Sequence, residues 1–209
     1  MKENMPAEEK ELICINVEKV YDWVVKEMSF EYTPTCPITF QGLAPATSLT
    51  GATVTCQVTP STTNPVVVLS RENRHFTIDG TSVCLQQLSL QNNFDVTIYV
   101  TLPNGTMYTS DCFNISRCEH IVMNAPTGTN VDVTYTALNG FVCSTGTFTN
   151  NNGTITFDNL AISITVCQSI QSTFPVTVEF LADYCEPRAD LPFSCPPPSR
   201  PKTNSLIFP

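Results

Sequence analysis

The eight residues DVTIYVTL, numbered 95–102, show the pattern that decides the fold of this chain. Val96, Ile98 and Val100 recur at every second position, which is the period of a β-strand with one buried face. Similar runs, rich in Thr, Val, Ile and Phe, recur along the chain and predict further strands. They include ATVTCQVT (52–59), PVVVLS (65–70), HFTI (75–78), VDVTYTAL (131–138), TITF (154–157), SITVCQ (163–168) and PVTVEFL (175–181).

Turn signals separate these runs and complete the all-β prediction. No convincing long amphipathic helix occurs between residues 33 and 187. Asn-Gly and Asp-Gly pairs suit the tight turns of β-hairpins, because both residues tolerate a positive φ. These pairs are Asp79-Gly80, Asn104-Gly105, Asn139-Gly140 and Asn152-Gly153.

The chain divides into four predicted segments. Residues 1–32 form an N-terminal arm, in which Ile13, Ile15 and Val17 alternate with other residues and predict an extended strand. Residues 33–118 and 119–187 form two tandem β-sandwich modules, Ig-like or jelly-roll-like. Residues 188–209 are a proline-rich tail.

An internal repeat supports the two modules. The run 76–79, FTID, matches 155–158, ITFD, and the run 94–98, FDVTI, resembles 174–178, FPVTV. The two matches have nearly the same sequence offset, which is typical of a repeated structural unit. The modules are either separate small sandwiches or two halves of one larger sandwich.

Charge is concentrated at the N-terminus. Residues 1–31 hold 12 of the 29 charged side chains, and no lysine occurs between Lys26 and Lys202. Lysine on an edge strand commonly prevents edge-to-edge association, so its absence predicts either covered edges or edges that are used for assembly. A secreted domain coated with Thr, Asn and Ser is the alternative. The net charge of −9 argues against a nucleic-acid partner.

Ten cysteines predict disulfide chemistry. Their number is even, and no pair has the C-x-x-C spacing of a zinc or redox motif. Disulfides imply an oxidising compartment. The N-terminal residues have no apolar run typical of a signal peptide. We therefore expect a protein that is made in a reducing cell and oxidised after lysis, or a processed chain. Buried free thiols are the alternative.

Position along the chain assigns the cysteines expected roles. If the repeat is structural, Cys84 pairs with Cys112 in the first module and Cys167 pairs with Cys185 in the second. Cys14 in the arm and Cys195 in the tail are best placed to bridge to another subunit. Trp23 anchors the arm, either on a neighbouring subunit or on its own domain. The other candidates for disulfides are Cys36, Cys56, Cys118 and Cys143.

The sequence has none of the common catalytic motifs. No P-loop, G-x-S-x-G or H-E-x-x-H occurs, and His75 and His120 are the only histidines. The cluster CFNISRCEH, residues 112–120, fits no standard zinc spacing. We expect no enzyme activity, cofactor or metal. No stretch approaches 18 apolar residues, so we expect no membrane span.

The arm has a resemblance to known proteins. The run ICINVEKVYDWV, residues 13–24, resembles the start of subunits of endospore appendages in Firmicutes, and cysteine-rich exosporium and coat proteins are a second comparison. The resemblance implies a β-sandwich in a fibre held by strand addition and by disulfides from the arm, which makes Cys14 the matching inter-subunit cysteine. This chain departs in having one arm cysteine instead of an adjacent pair, a second module and the proline-rich tail.

We therefore expect a structural, self-assembling, disulfide-crosslinked component of a bacterial spore surface, in the coat, the exosporium or an appendage. Its expected partners are further copies of itself and other spore-surface proteins. The alternative is a secreted or surface-attached Ig-like adhesion module in which all disulfides are internal.

Overall fold

A computed structural model describes residues 11–182 of the chain. The described residues form eleven strands and no helix, which confirms the all-β prediction. The strands are β1 (Glu11–Tyr32), β2 (Ile38–Thr39), β3 (Thr53–Pro60), β4 (Val66–Ile78), β5 (Thr81–Thr101), β6 (Met107–Thr109), β7 (Phe113–Met123), β8 (Asn130–Ser144), β9 (Phe148–Asn151), β10 (Thr154–Phe157) and β11 (Ala161–Ala182).

Strand β5 organises the largest sheet. It pairs antiparallel with β3, β4, β6 and β7. Two three-stranded sheets have the strand orders β1-β11-β8 and β2-β10-β9. Among the described strands, the predicted arm strand therefore lies at the edge of a sheet of its own chain. Trp23 contacts Ser169 and Ser29 contacts Thr165, so β1 and β11 run antiparallel.

The described residues fall into two compact units. One comprises residues 18–175 and contains the core. The other, as far as the structure describes it, comprises residues 11–17 and 176–182, the ends of β1 and β11. In this second unit the Thr177 hydroxyl contacts the Asn16 side chain at 2.7 Å.

The core of residues 18–175 has a two-residue period. The even-numbered residues of β5 from 86 to 100 are buried, and so are those of β11 from 162 to 172. Both rows enter the larger hydrophobic cluster, through Phe94 and Val96 from β5 and through Ile164 and Val166 from β11. The two halves of the predicted repeat therefore share one core, and separate tandem modules are not confirmed.

Three of the four predicted glycine turns are turns. Asp79-Gly80 and Asn152-Gly153 have positive φ at both residues and join β4 to β5 and β9 to β10. Gly105 also has positive φ, between β5 and β6. The prediction was wrong for Asn139-Gly140, which lies within β8 and pairs with β11. A side chain at Gly140 would overlap that of Val58 on β3, so this glycine allows close packing of two strands.

Candidate functional site

Five strands each bring one polar residue to the same level of the core. On β5, Asn92 interrupts the apolar row between Leu90 and Phe94, and both Asn92 and Gln168 are fully buried. The interruption separates two hydrophobic clusters, one containing Phe94 and Val166 and the other containing Leu90 and Ile170. We call this set the polar layer, and its members are Lys26 of β1, Asn92 of β5, Glu119 of β7, Tyr135 of β8 and Gln168 of β11.

Glu119 is the centre of the polar layer. Only 8% of its surface is exposed. Its Oε2 is buried and has an ion-pair contact but no hydrogen-bond partner in the described structure. Oε2 forms an ion pair with Lys26 Nζ at 2.8 Å. Oε1 accepts a hydrogen bond from Asn92 Nδ2 at 2.6 Å and another from Gln168 Nε2. Such charge-assisted hydrogen bonds offset the cost of burying a carboxylate.

These contacts set the charge of Glu119. Burial favours the neutral acid and acts to raise the pKa of Glu119. The contact with Lys26 and the hydrogen bonds from Gln168 and Asn92 outweigh burial and hold the pKa below its ordinary value. At neutral pH Glu119 is therefore a carboxylate that faces an ammonium group through one oxygen and two amide groups through the other.

Tyr135 completes the surroundings of Asn92. Its hydroxyl donates to Asn92 Oδ1 at 2.9 Å and is 3.2 Å from the Pro65 carbonyl oxygen. Burial, and after it the Glu119 charge, raises the pKa of the Tyr135 hydroxyl, so the group remains a donor at neutral pH. The amide of Asn92 is thus polarised at both ends, by Tyr135 at its oxygen and by Glu119 at its nitrogen.

Gln168 differs from Asn92 in one respect. Its Nε2 donates to Glu119, but its Oε1 is buried and has no hydrogen-bond partner in the described structure. The two buried amides are therefore equivalent at nitrogen and different at oxygen. This difference matters for any reaction in which charge develops on the amide oxygen.

Sequence analysis missed the polar layer. Glu119 lies in the cluster CFNISRCEH, which fits no zinc spacing, and no sequence motif indicated a role for Lys26, Asn92 or Gln168. A signal was present, because Asn92 and Gln168 each replace an apolar residue in an alternating row. Which polar residues meet depends on strand pairing, and periodicity does not report pairing.

The outer edge of β1 is a second candidate site. The residues Trp23 and Val25 are 62% and 69% exposed, and Trp23 Nε1 donates to Ser169 Oγ at 2.7 Å. Trp23 therefore rests on its own chain and leaves most of its ring uncovered. On the same face Lys19 Nζ lies 4.6 Å from the centre of the Tyr21 ring.

The cysteines lie mostly on the surface. No disulfide joins any of the eight cysteines within residues 11–182, and six of them are exposed. Cys185 and Cys195 lie outside the described residues. The exposed thiols are Cys14, Cys36, Cys84, Cys112, Cys118 and Cys143, and the partly buried ones are Cys56 and Cys167.

The structure does not bring Cys84 and Cys112 together. Cys84 lies on β5 opposite His75, whereas the residue after Cys112 pairs with Val96, twelve positions further along β5. That spacing is about 40 Å along a strand, and disulfides need Cα atoms about 4–7 Å apart. The predicted Cys167–Cys185 bridge stays a prediction.

Two other pairs of cysteines are neighbours. Cys36 and Cys112 line one cavity of about 250 Å³, beside the backbone hydrogen bond from Asp111 to Thr39. Cys56 and Cys143 lie on β3 and β8. Burial, and after it the nearby Cys143, raises the pKa of the Cys56 thiol.

Cys14 has a carboxylate neighbour. Its thiol donates to Glu179 Oε1 across 3.6 Å between the ends of β1 and β11. Partial desolvation, followed by the hydrogen bond and the charge of Glu179, raises the pKa of Cys14. The thiolate fraction at neutral pH is correspondingly low.

Comparison with protein families, with curated proteins and with solved structures finds no match for this chain. Among the described residues there is no helix long and apolar enough to cross a membrane.

Proposed function

We propose that this chain is a structural subunit that associates with further copies through the outer edge of β1 and is then crosslinked by disulfides. We further propose that the assembly belongs to a bacterial spore surface, in the coat, the exosporium or an appendage. In this proposal, the two related halves of the tandem repeat form the scaffold that holds β1 in place.

The observation that carries the proposal is the long edge strand. β1 has 22 residues, and among the described strands it pairs only with β11. Exposed backbone groups of an edge strand can pair with another chain, and exposed apolar side chains add to that interface. Val20, Trp23 and Val25 supply such side chains along this edge.

Charge complementarity favours a second copy as the partner. If two β1 strands pair antiparallel with Trp23 at the centre, Lys19 of each copy lies opposite Glu27 of the other. Opposite charges directly across a strand pair stabilise it, and a two-fold axis makes each contact occur twice. Lys19, Trp23 and Glu27 all lie on the outward face of β1.

Disulfides would make this association permanent. Exposed thiols such as Cys14 are accessible to a thiol of another copy. A small disulfide or dioxygen takes up the two electrons and two protons that are released as each bridge forms. Unfolding one subunit of such an assembly would not release it.

A charge exchange tests the interface. We expect light scattering on the reduced full chain to show association that Lys19→Glu weakens at least about tenfold, because each interface then contains two repulsive pairs in place of two attractive ones. The double variant Lys19→Glu/Glu27→Lys restores the attraction and should recover association. A monomeric wild type, or a double variant as weak as the single one, would contradict the register.

Two further measurements test crosslinking and location. On a gel without reductant we expect a ladder of oligomers that collapses to one band with reductant. Fractionation of sporulating cells should place the protein in the spore-surface fraction. A single band without reductant argues against covalent assembly, and recovery only from other fractions argues against the spore.

A further inference from the structure

The polar layer contains the reactants of a covalent bond. Lys26 supplies a primary amine, Asn92 supplies a carboxamide, and Glu119 contacts the nitrogen atoms of both. The distances are 2.8 Å from Lys26 Nζ to Oε2 and 2.6 Å from Asn92 Nδ2 to Oε1. We propose that Lys26 and Asn92 join through an intramolecular amide bond that the folded chain forms by itself.

The step balances without any co-reactant. Glu119 takes a proton from the Lys26 ammonium, and the neutral Nζ attacks Cγ of Asn92. The bond from Cγ to Nδ2 then breaks as Glu119 returns that proton to the departing nitrogen. Glu119 next takes the second proton from Nζ and passes it to the released ammonia. One carboxylate serves as base and then as acid because its two oxygens contact the two nitrogens. The products are a secondary amide and one ammonium ion, so the chain loses the mass of one ammonia molecule.

Tyr135 determines which amide reacts. Negative charge builds on the amide oxygen during attack, and a donor placed at that oxygen stabilises it. Asn92 Oδ1 has such a donor in the Tyr135 hydroxyl at 2.9 Å. The oxygen of Gln168 has no hydrogen-bond partner in the described structure, so we assign the bond to Asn92 although both amide nitrogens contact Glu119.

Burial makes the site suitable for the reaction. Asn92 is fully buried and Glu119 is almost so, and hydrophobic clusters flank them on both sides. Water is largely excluded from Asn92 and Glu119, whereas the Lys26 side chain is 35% exposed. Lys26 and Asn92 lie far apart in the sequence, so the reactants meet only in the folded chain. The bond would join β1 to β5 in a form that reductants do not cleave.

Mass spectrometry of the reduced full chain tests the proposal directly. We expect the folded wild type to be lighter than its sequence mass by one ammonia molecule. Fragmentation should identify a branched peptide that joins Lys26 to Asn92. A chain that is made and kept in denaturant, so that it never folds, should have the full mass expected from its sequence.

Three variants assign the roles. Lys26→Arg removes the amine and Glu119→Gln removes the proton carrier, and both should show the full mass. Lys19→Arg is the matched control, because it changes a lysine on the same strand outside the polar layer and should still lose ammonia. Circular dichroism verifies that each variant is folded before its mass is compared.

Several outcomes would overturn the proposal. A folded wild type with the full sequence mass excludes the bond. A link from Lys26 to Gln168 excludes the assignment to Asn92. Succinimide formation at the Asn-Gly pairs 104–105, 139–140 or 152–153 also releases ammonia, so a loss located there excludes it as well. Ammonia loss in Glu119→Gln at the wild-type rate excludes the role of Glu119.

Discussion

The inward face of β1 carries a charged side chain and the outward face carries exposed apolar side chains, which is the reverse of what favours stability. On the inward face Lys26 reaches a carboxylate that is almost completely buried. On the outward face its neighbour Val25 is exposed, two positions from the exposed Trp23. Stability alone favours the reverse arrangement, with the valine inside and the lysine outside. Positions that break the local rule are often functional, which is why both proposals involve this strand.

The inner face should show the largest effect on stability. Lys26→Met leaves the buried Glu119 charge without its ion-pair partner, whereas Lys26→Met/Glu119→Gln removes both charges. Neither variant can form the proposed amide bond. We expect urea unfolding to show the single variant less stable than the double variant by about 3 kcal/mol, because an unpaired buried charge costs more than a removed pair. Equal stabilities would mean that solvent reaches the ion pair.

A smaller loss should follow from Tyr135→Phe, which keeps the ring and removes the donor to Asn92. The buried Asn92 oxygen is then unsatisfied, so we expect a loss of about 1–2 kcal/mol in the free energy of unfolding. The comparison is best made in a Lys26→Arg background, where the amide bond cannot contribute. Tyr99→Phe is a control, because its hydroxyl bonds to the exposed Gln57. A loss as large as that from Lys26→Met would contradict the central position of Glu119.

Adjacent valines compare the two faces directly. Val24 packs against the hydrophobic cluster of Leu88 and Ile170, and Val25 is exposed. We expect Val24→Thr to cost about 1 kcal/mol, and Val25→Thr to stay within about 0.5 kcal/mol of the wild type. Denaturant unfolding at a concentration where the chain is monomeric measures both. Equal losses would show that Val25 is covered even in the monomer.

The smallest effect concerns Cys14, near the start of the same strand. Because its pKa is raised, we expect the rate of alkylation by iodoacetamide to keep increasing at pH values where an unperturbed thiol is already fully ionised. Glu179→Gln removes the negative charge beside the thiol, so we expect alkylation at pH 8 to become a few times faster. Glu179→Asp keeps the charge and serves as control. An unchanged rate in Glu179→Gln would show that Glu179 does not act on the thiol.

Local pattern predicted most of the strands, but it did not predict β2, β6, β7 and β9 or the arrangement of the strands. Two-residue alternation indicated β5 and β11, and it indicated the extended arm that became β1. The same pattern could not show that β5 and β11 bury their rows in one cluster, because the repeat is equally compatible with two cores. The prediction of a turn at Asn139-Gly140 was wrong for a related reason. The local sequence does not show that Val58 on β3 packs against position 140 and leaves no room there for a side chain.

Of the candidate functional residues on β1, only Trp23 and Cys14 were predicted from the sequence. Trp23 and Cys14 could be selected because an aromatic residue and a thiol in a charged arm are locally unusual. Lys26 could not be told apart from the other lysines of the arm in the sequence, because it differs from them in its ion pair with Glu119 on β7. The pairing of Cys84 with Cys112 was inferred from the repeat, and the length of β5 separates them.

The pairing of β1 with β11 also has a consequence during translation. Trp23 and Ser169, which are hydrogen-bonded in the finished protein, lie 146 residues apart. At ribosomal speeds of about 5–20 residues per second, β1 waits roughly 7–30 s for its partner to be synthesised. Meanwhile β4 and β5, joined by a two-residue hairpin, can form early. On a crowded polysome a nascent β1 could therefore be captured by the β11 of a neighbouring chain, which would yield domain-swapped pairs.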